Sequence, residues 1–172
     1  MSAASTAIKQ QALQTQAGTE QYLTFLLAGE EYGVDILRVQ EIKGWEKVTR
    51  VPHTPNFVLG VINLRGAIVP VIDLRTRFAL DNIPYGPTTV VIVVRVAGER
   101  GDRTVGIVVD AVSEVYNVPS SDRRPPPDML GPVDRVLIKG LVRVDEKMVI
   151  LLDVDRLINS SVLIDTVPAE RS

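Results

Sequence analysis

The sequence contains no cysteine and a single histidine. The absence of cysteine excludes disulfide bonds and thiolate chemistry, and it is typical of proteins in a reducing compartment. The histidine, His53, lies in the turn-like segment VPHTP without a neighbouring carboxylate, so we interpret it as a loop residue rather than a catalytic one. Metal-ligand clusters, glycine-rich phosphate loops and the nucleophile-elbow pattern are also missing. The sequence therefore argues against an enzyme and implies no cofactor or metal.

Excess positive charge, aromatic residues and long apolar runs are scarce as well. The net charge is −2 and aromatic residues make up 5%, which disfavours a nucleic-acid partner. The longest strongly apolar run, Val90–Val94, is far too short to span a membrane. Residues 1–19 lack the apolar core of a signal peptide, so we predict a mobile N-terminal tail on a cytoplasmic protein. Residues 161–172 are predicted to form a C-terminal tail.

What the sequence does contain is an internal repeat. Three segments recur in the same order, and the third keeps the same spacing from its glycine to its aspartate in both copies. The paired segments are Leu23–Glu30 with Ile92–Glu99, Gly33–Ile42 with Gly106–Val115, and Gly60–Leu74 with Gly140–Val154. The alternative explanation is that unrelated β-strands use the same residue types, but the shared order and spacing of the segments favour a duplication.

The repeated segments are rich in β-branched residues and bounded by turn signals, which predicts short strands. We expect an all-β fold of two intertwined five-stranded β-barrel subdomains, one in residues 20–85 and one in residues 86–160, with strands exchanged between them. Packing them together would bury a third apolar layer. Short helices are predicted at Pro55–Leu59, with Thr54 as a cap, and after Asp73 and Asp153, each a candidate N-cap.

Without catalytic groups, the sequence points to an interface, and differences between the two copies indicate where. Arg65 and Gly66 at one hairpin tip correspond to Asp145 and Glu146 in the other, so we expect Arg65 not to be required for folding. Strand alternation places Asn63 on the same face as Arg65, which predicts a polar pair at one rim. Arginine is frequent among binding hot spots, but a solvated turn arginine is equally compatible with the pattern.

Three further features have alternative interpretations. Pro70 cannot donate to a strand ladder, which places it at a sheet edge or a barrel bend. Trp45 is interpreted as a half-buried core residue, with a contact anchor as the alternative. The proline-rich segment Asp122–Pro132 is interpreted as a stiff loop that interrupts the second copy, with an SH3-type ligand as the alternative.

The segments EEYGVDILRVQEI, PNFVLGVINLRGAIVPVIDLR and VGIVVDAVSEV closely resemble the CheW family of chemotaxis coupling proteins, over about residues 20–160. The resemblance includes the signature Asn63-Leu64-Arg65-Gly66. It implies SH3-like barrels and a non-enzymatic adaptor that is a monomer by itself. Its implied partners are the cytoplasmic tips of transmembrane methyl-accepting chemoreceptors and the regulatory domain of a CheA-type histidine kinase, in an array beneath the membrane.

The resemblance also implies site residues. Two of them, Gly44 and Gly60, match positions near the kinase contact, although a turn requirement would equally explain a glycine. The residues that match receptor-facing positions are Val39, Glu41, Asn63, Arg65, Val90 and Val112. The alternative function is a β-barrel that binds a ligand or nucleic acid without a kinase partner.

Overall fold

A computed structural model of the chain describes residues 18–99, 101–127 and 135–159. Within these ranges the strands are β1 (Thr19–Leu27), β2 (Glu30–Asp35), β3 (Val39–Gly44), β4 (Val58–Leu64), β5 (Ala67–Asp73), β6 (Val90–Gly98), β7 (Gly101–Val109), β8 (Ala111–Pro119), β9 (Ile138–Val144) and β10 (Lys147–Leu152). The α-helices are α1 (Leu74–Arg77) and α2 (Val154–Asn159). Three 3-10 helices are Ile36–Arg38, Ser120–Asp122 and Arg135–Leu137. No helix in the described ranges has the length and apolar character needed to cross a membrane.

The strands form two five-stranded sheets with the same internal order. The first barrel runs β3-β6-β7-β5-β4 and the second barrel runs β8-β1-β2-β10-β9. In both, two antiparallel hairpins meet through one parallel pair, β5 with β7 and β10 with β2. Each sheet takes a hairpin from the other half of the chain, so neither sheet is one contiguous segment. The predicted all-β fold of two five-stranded barrels is confirmed, and the boundaries 20–85 and 86–160 stay a prediction.

Strand alternation divides the apolar residues into three clusters. Along β6, Val91 and Val93 lie inside the first barrel, whereas Ile92 and Val94 belong to the largest cluster. We call this largest cluster the central core. Along β1, Leu23 and Phe25 also belong to the central core, whereas Tyr22 lies inside the second barrel. Because the central core takes side chains from both sheets, it is the third apolar layer expected between the barrels.

Two of the three predicted short helices are present. Asp73 Oδ1 accepts a hydrogen bond from the Arg75 backbone N–H at 3.0 Å, and Asp153 Oδ1 accepts one from Arg156 at 3.0 Å, so both aspartates cap helices as predicted. The prediction of a helix at Pro55–Leu59 is wrong. That segment forms a turn, and β4 begins at Val58, because pairing with β5 satisfies this backbone better than one helical turn would.

The beginning of the proline-rich segment belongs to the duplicated fold. Arg124 forms an isolated antiparallel bridge with Leu141 of β9, and Thr49 forms the same bridge with Val61 of β4. Each bridge consists of two reciprocal backbone hydrogen bonds of 2.8–2.9 Å. The expected interruption of the second copy therefore starts later than Asp122. The prolines themselves follow the bridge, and residues 128–132 lie outside the described ranges.

The positions of Pro70 and Trp45 are compatible with those expected from the sequence. Pro70 pairs with Val61 of β4, and the parallel ladder with β7 begins one residue later, at Val71. Trp45 is half-buried and packs on the inner cluster of the first barrel, where its ring centroid lies 4.3 Å from that of Tyr85. These contacts agree with the interpretation of Trp45 as a core residue.

An ion pair ties α1 to the junction between β7 and β8. Arg75 Nε and Nη2 donate to the two carboxylate oxygens of Asp110 at 2.8 and 2.7 Å. The carboxylate also accepts the backbone N–H of Ala28, in the β1–β2 turn, at 2.9 Å. The hydrogen bonds from Arg75 lower the pKa of Asp110 below its ordinary value, and burial opposes them. The pair therefore joins the first barrel's helix to the point where the chain passes from β7 of the first barrel to β8 of the second.

A second ion pair occupies the corresponding place with the opposite polarity. Asp155 of α2 accepts from Arg38 Nη1 and Nη2 at 3.0 and 2.7 Å, and Asp155 Oδ1 accepts the Ala97 backbone N–H at 2.8 Å. Asp155 and Arg75 each lie two residues after a capping aspartate. Both halves of the fold therefore contain this ion pair, but the helix carries the arginine in one half and the aspartate in the other.

Candidate functional site

The tip of the β4–β5 hairpin is a two-residue turn that contains Arg65 and Gly66. Both residues have left-handed φ values, 53° and 88°, which is the geometry of a type I′ turn. The β9–β10 hairpin has the same turn at Asp145 and Glu146, with φ values of 49° and 67°. The Asn63 carboxamide oxygen accepts the Gly66 backbone N–H at 2.9 Å. Asn63 therefore supports the turn instead of forming the predicted polar pair with Arg65.

The left-handed conformation is unfavourable for arginine. It costs a residue with a β-carbon about 1 kcal/mol, and aspartate or asparagine reduces that cost by bonding to the nearby backbone. Asp145 is of that type, whereas Arg65 is not. Arg65 therefore occupies a backbone conformation that its residue type does not favour.

Arg65 pairs with Glu41 across the closure of the first barrel. Arg65 Nη2 lies 2.8 Å from Glu41 Oε1, and the side chain of Arg65 is 68% exposed whereas that of Glu41 is 10% exposed. Glu41 is on β3 and Arg65 follows β4, the two strands at opposite ends of the sheet order. The ion pair therefore links the strands that the barrel must bring together.

This contact gives Arg65 a partner within the fold, and the expectation that Arg65 is not required for folding stays a prediction. Without this contact, the nearly buried carboxylate of Glu41 would lose its counter-charge. The approach of Arg65 does not meet hydrogen-bond geometry, so Glu41 Oε1 is buried without a hydrogen bond among the described residues. The interpretation of Arg65 as a merely solvated turn arginine does not describe this arrangement.

The three valines of the predicted receptor surface contact the central core. Val39 is 1% exposed and belongs to that core, so its side chain has no free surface for a partner in this structure. Val90 and Val112 are half-buried and pack against the core from its edge. The structure therefore gathers Glu41 and Arg65, with Asn63 beside them, at the hairpin tip, and the valines around the apolar layer between the barrels.

The two glycines of the predicted kinase surface differ in whether the fold has room for a side chain at their positions. Gly44 is exposed, and a Cβ at this position would have no atom of the described residues within 4 Å. Gly60 has a φ of 151°, and a Cβ there would overlap the carbonyl oxygen of Thr49. Gly60 is therefore needed for the close backbone approach that forms the Thr49–Val61 bridge, a structural requirement within β4 and not at a turn.

One exposed residue beside this site escaped the sequence analysis. Ile68 is 66% exposed and lies directly opposite Asn63 in the β4–β5 pair, so both side chains are on the same face of the hairpin. The signal was present in the sequence, because a two-residue turn at Arg65 and Gly66 fixes which residues face each other. Ile68 adds an apolar surface next to the cation.

These features lie in a chain whose residues 21–162 match the family model described as the CheW-like domain. The chain belongs to the CheW-like family. It is 45% identical to the chemotaxis protein CheW of Klebsiella aerogenes over 150 residues, which cover 86% of this chain and 88% of that protein. It is 30% identical to the chemotaxis protein CheW of Bacillus subtilis over 149 residues, which cover 87% and 93% of the two chains.

A solved structure agrees with the fold. The crystal structure of the scaffolding protein TtCheW from Thermoanaerobacter tengcongensis superimposes with a TM-score of 0.74 at 36% sequence identity, covering 80% of this chain and 91% of that one. The predicted family and the two-barrel all-β fold are thus confirmed. The chain is a member of a family of chemotaxis scaffold proteins.

Proposed function

We propose that this chain is a non-enzymatic adaptor that couples the cytoplasmic tips of chemoreceptors to the regulatory domain of a CheA-type histidine kinase. It would act in the cytoplasm, recruited to receptor arrays at the membrane. The observation that carries the proposal is Arg65, which is held in a left-handed turn, mostly exposed, and backed by the nearly buried carboxylate of Glu41. A family of scaffold proteins provides the context for this arrangement.

The receptor would bind at the hairpin tip of the first barrel. Glu41 limits the orientations of the Arg65 side chain, which lowers the entropy lost when a receptor carboxylate or carbonyl oxygen accepts its hydrogen bonds. Ile68, beside it, offers apolar area to a helical receptor tip. The half-buried Val90 and Val112 would extend the apolar contact, with Val39 supporting them from the core.

The kinase would dock on a different surface that includes Gly44. Because a side chain at Gly44 meets no neighbouring atom, added bulk there obstructs a partner without disturbing the barrel. Gly60 contributes indirectly, through the backbone contact with Thr49 that shapes the entry to β4. The two partners would therefore be separable by mutation.

Arg65→Asn tests the receptor contact. Asparagine suits the left-handed turn, so the free energy of unfolding should stay within about 1 kcal/mol of the parent's, the turn's gain offsetting the loss of the ion pair with Glu41. Affinity for receptor-containing membranes should fall by about tenfold or more, as for a binding hot spot. The matched control is Asp145→Asn at the same position of the second hairpin, which should bind receptor normally.

Kinase autophosphorylation on receptor membranes reports the coupling itself. The parent chain should be needed for kinase activation, and Gly44→Val should reduce kinase binding while it leaves receptor binding intact. A folded Arg65→Asn protein that binds receptor as well as the parent would refute the role of Arg65. Full kinase activation in the absence of the chain would refute the coupling function.

A further inference from the structure

The second barrel has a groove beside its β1–β2 turn, on the opposite half of the fold from Arg65. Its volume is about 440 Å³. The residues that line this second-barrel groove are Leu26, Gly29, Glu30, Glu31, Lys147 and Met148. Two of them, Leu26 and Met148, are large apolar side chains that are 37% and 53% exposed. The groove is therefore a surface with apolar walls next to charged groups.

Glu31 is the unusual member of the groove. Its side chain is 6% exposed, and among the described residues its Oε2 atom has no hydrogen-bond partner. The nearest cation, Lys147 Nζ, is 3.8 Å from the other oxygen, Oε1, and the Lys147 side chain is 58% exposed. A buried carboxylate without a hydrogen-bond donor is unfavourable by about 1–3 kcal/mol, so Glu31 favours a cation that donates more closely than Lys147 does at 3.8 Å.

Negative charge also accumulates around the groove from other elements. The Tyr116 hydroxyl of β8 donates to Glu114 Oε2 at 2.7 Å, and that bond raises the pKa of Tyr116, with the charges of Glu31 and Asp145 contributing. Glu31, Glu114 and Asp145 therefore all act on one hydroxyl. At the corresponding tip of the first barrel, Arg65 stands where Asp145 stands here. These acidic groups, set against the exposed Lys147, favour a cationic occupant of the second-barrel groove.

We propose that the second-barrel groove binds an arginine-bearing segment of a partner protein, whose guanidinium displaces the exposed Lys147 side chain and donates to the Glu31 carboxylate while a neighbouring aliphatic side chain packs on Leu26 and Met148. Arginine suits the site better than lysine because its planar fork offers several donors in fixed directions and is weakly hydrated. The exposed apolar walls would cover the carbon chain of that arginine. This site does not depend on the receptor and kinase contacts proposed for the first barrel.

A pair of synthetic peptides tests the proposal. The probe is acetyl-Ala-Leu-Arg-Leu-Ala-amide, and its control carries citrulline, which is isosteric with arginine and uncharged. Each is titrated into the isotope-labelled full chain while the amide NMR signals of Gly29, Glu31 and Lys147 are followed. The arginine peptide should shift these signals saturably, and the citrulline peptide should bind about tenfold more weakly, as expected for a lost charge-assisted hydrogen bond.

Matched variants separate a specific contact from general attraction. Glu31→Gln should weaken the arginine peptide about tenfold, whereas Glu30→Gln, which removes the same charge from an exposed neighbour, should change affinity less than about threefold. Urea unfolding checks that both variants remain folded. The citrulline comparison on the parent chain needs no variant at all.

Several results would overturn the proposal. These are the absence of saturable shifts at millimolar peptide, equal binding of the two peptides, or shifts confined to the Arg65 tip. Shifts of the same amides on dilution of the chain alone would identify a second copy as the occupant. A tenfold gain in peptide affinity after removal of residues 1–17 would identify the chain's own N-terminal segment instead.

Discussion

The ion pair between Arg75 and Asp110 makes a quantitative prediction about stability. Asp110→Asn keeps the shape of the side chain and removes its charge, which deprives the Arg75 guanidinium of the carboxylate to which it is hydrogen-bonded. The side chains of Arg75 and Asp110 are 12% and 21% exposed, and two hydrogen bonds of 2.8 and 2.7 Å join them. Breaking one partner of a fully buried pair costs about 3–5 kcal/mol. Partial exposure and the remaining amide oxygen reduce the expected loss here to about 2–3 kcal/mol.

The corresponding pair in the other half provides the matched control. Arg38 and Asp155 also make a bidentate contact, through Nη1 and Nη2 instead of Nε and Nη2, and their side chains are 33% and 29% exposed. Because water screens a pair at that exposure, Asp155→Asn should cost about 1 kcal/mol. The expected order of destabilisation, Asp110→Asn above Asp155→Asn, follows from the greater burial of the Arg75–Asp110 pair, since both contacts are bidentate.

The pH dependence gives an independent check on Asp110. Its folded-state pKa is lowered, so its contribution to stability is complete above the unfolded pKa of about 3.9 and disappears as the pH falls through the lower folded value. The difference in unfolding free energy between the parent and Asp110→Asn should therefore be constant from about pH 7 to 5 and shrink below about pH 4.

Urea denaturation at a series of pH values measures these quantities, with Trp45 fluorescence and far-ultraviolet circular dichroism as probes. A loss below about 0.5 kcal/mol for Asp110→Asn would refute the structural reasoning, and so would a difference that persists unchanged to pH 2. The double variant Arg75→Asp with Asp110→Arg copies the polarity of the other pair. It should recover about half of the stability that Asp110→Asn loses, because the fold already accommodates that polarity once.

Two further predictions concern single contacts in the first barrel. Gly60→Ala should destabilise the fold by about 3 kcal/mol or more, because the new Cβ overlaps the Thr49 carbonyl oxygen. The control, Gly44→Ala, should change the free energy of unfolding by less than about 0.5 kcal/mol. Urea unfolding curves compare the two variants directly. Tyr85→Phe removes the hydroxyl that donates to the buried Asp73 carboxylate at 2.6 Å and should cost about 1–2 kcal/mol. Burial, followed by that hydrogen bond, raises the pKa of Tyr85, so its ultraviolet ionisation signal should be missing near pH 10 while the protein is folded and present after denaturation. An unchanged urea midpoint for Tyr85→Phe would contradict the hydrogen bond.

Local features of this chain were predictable because they depend on neighbouring residues. The strands follow from alternating β-branched residues, and the two helix caps follow from an aspartate placed directly after a strand. The repeat also predicted a shared central layer, since two small barrels gain stability when they bury a common apolar face. The helix expected at Pro55–Leu59 is a local prediction that failed, because strand pairing overrode a capping signal.

The contacts that define the candidate site were not accessible from the sequence. Arg65 meets Glu41 only because the barrel closes its first strand against its last, and Val39 is buried only because the two barrels pack together. In the same way, Gly60 owes its importance to the approach of Thr49, not to a turn motif. The sequence by itself determined the strands, the duplication and the turn that carries Arg65, all from short-range preferences. The tertiary structure decided which charges meet and which side chains keep a free surface, because barrel closure and burial join residues that are distant along the chain.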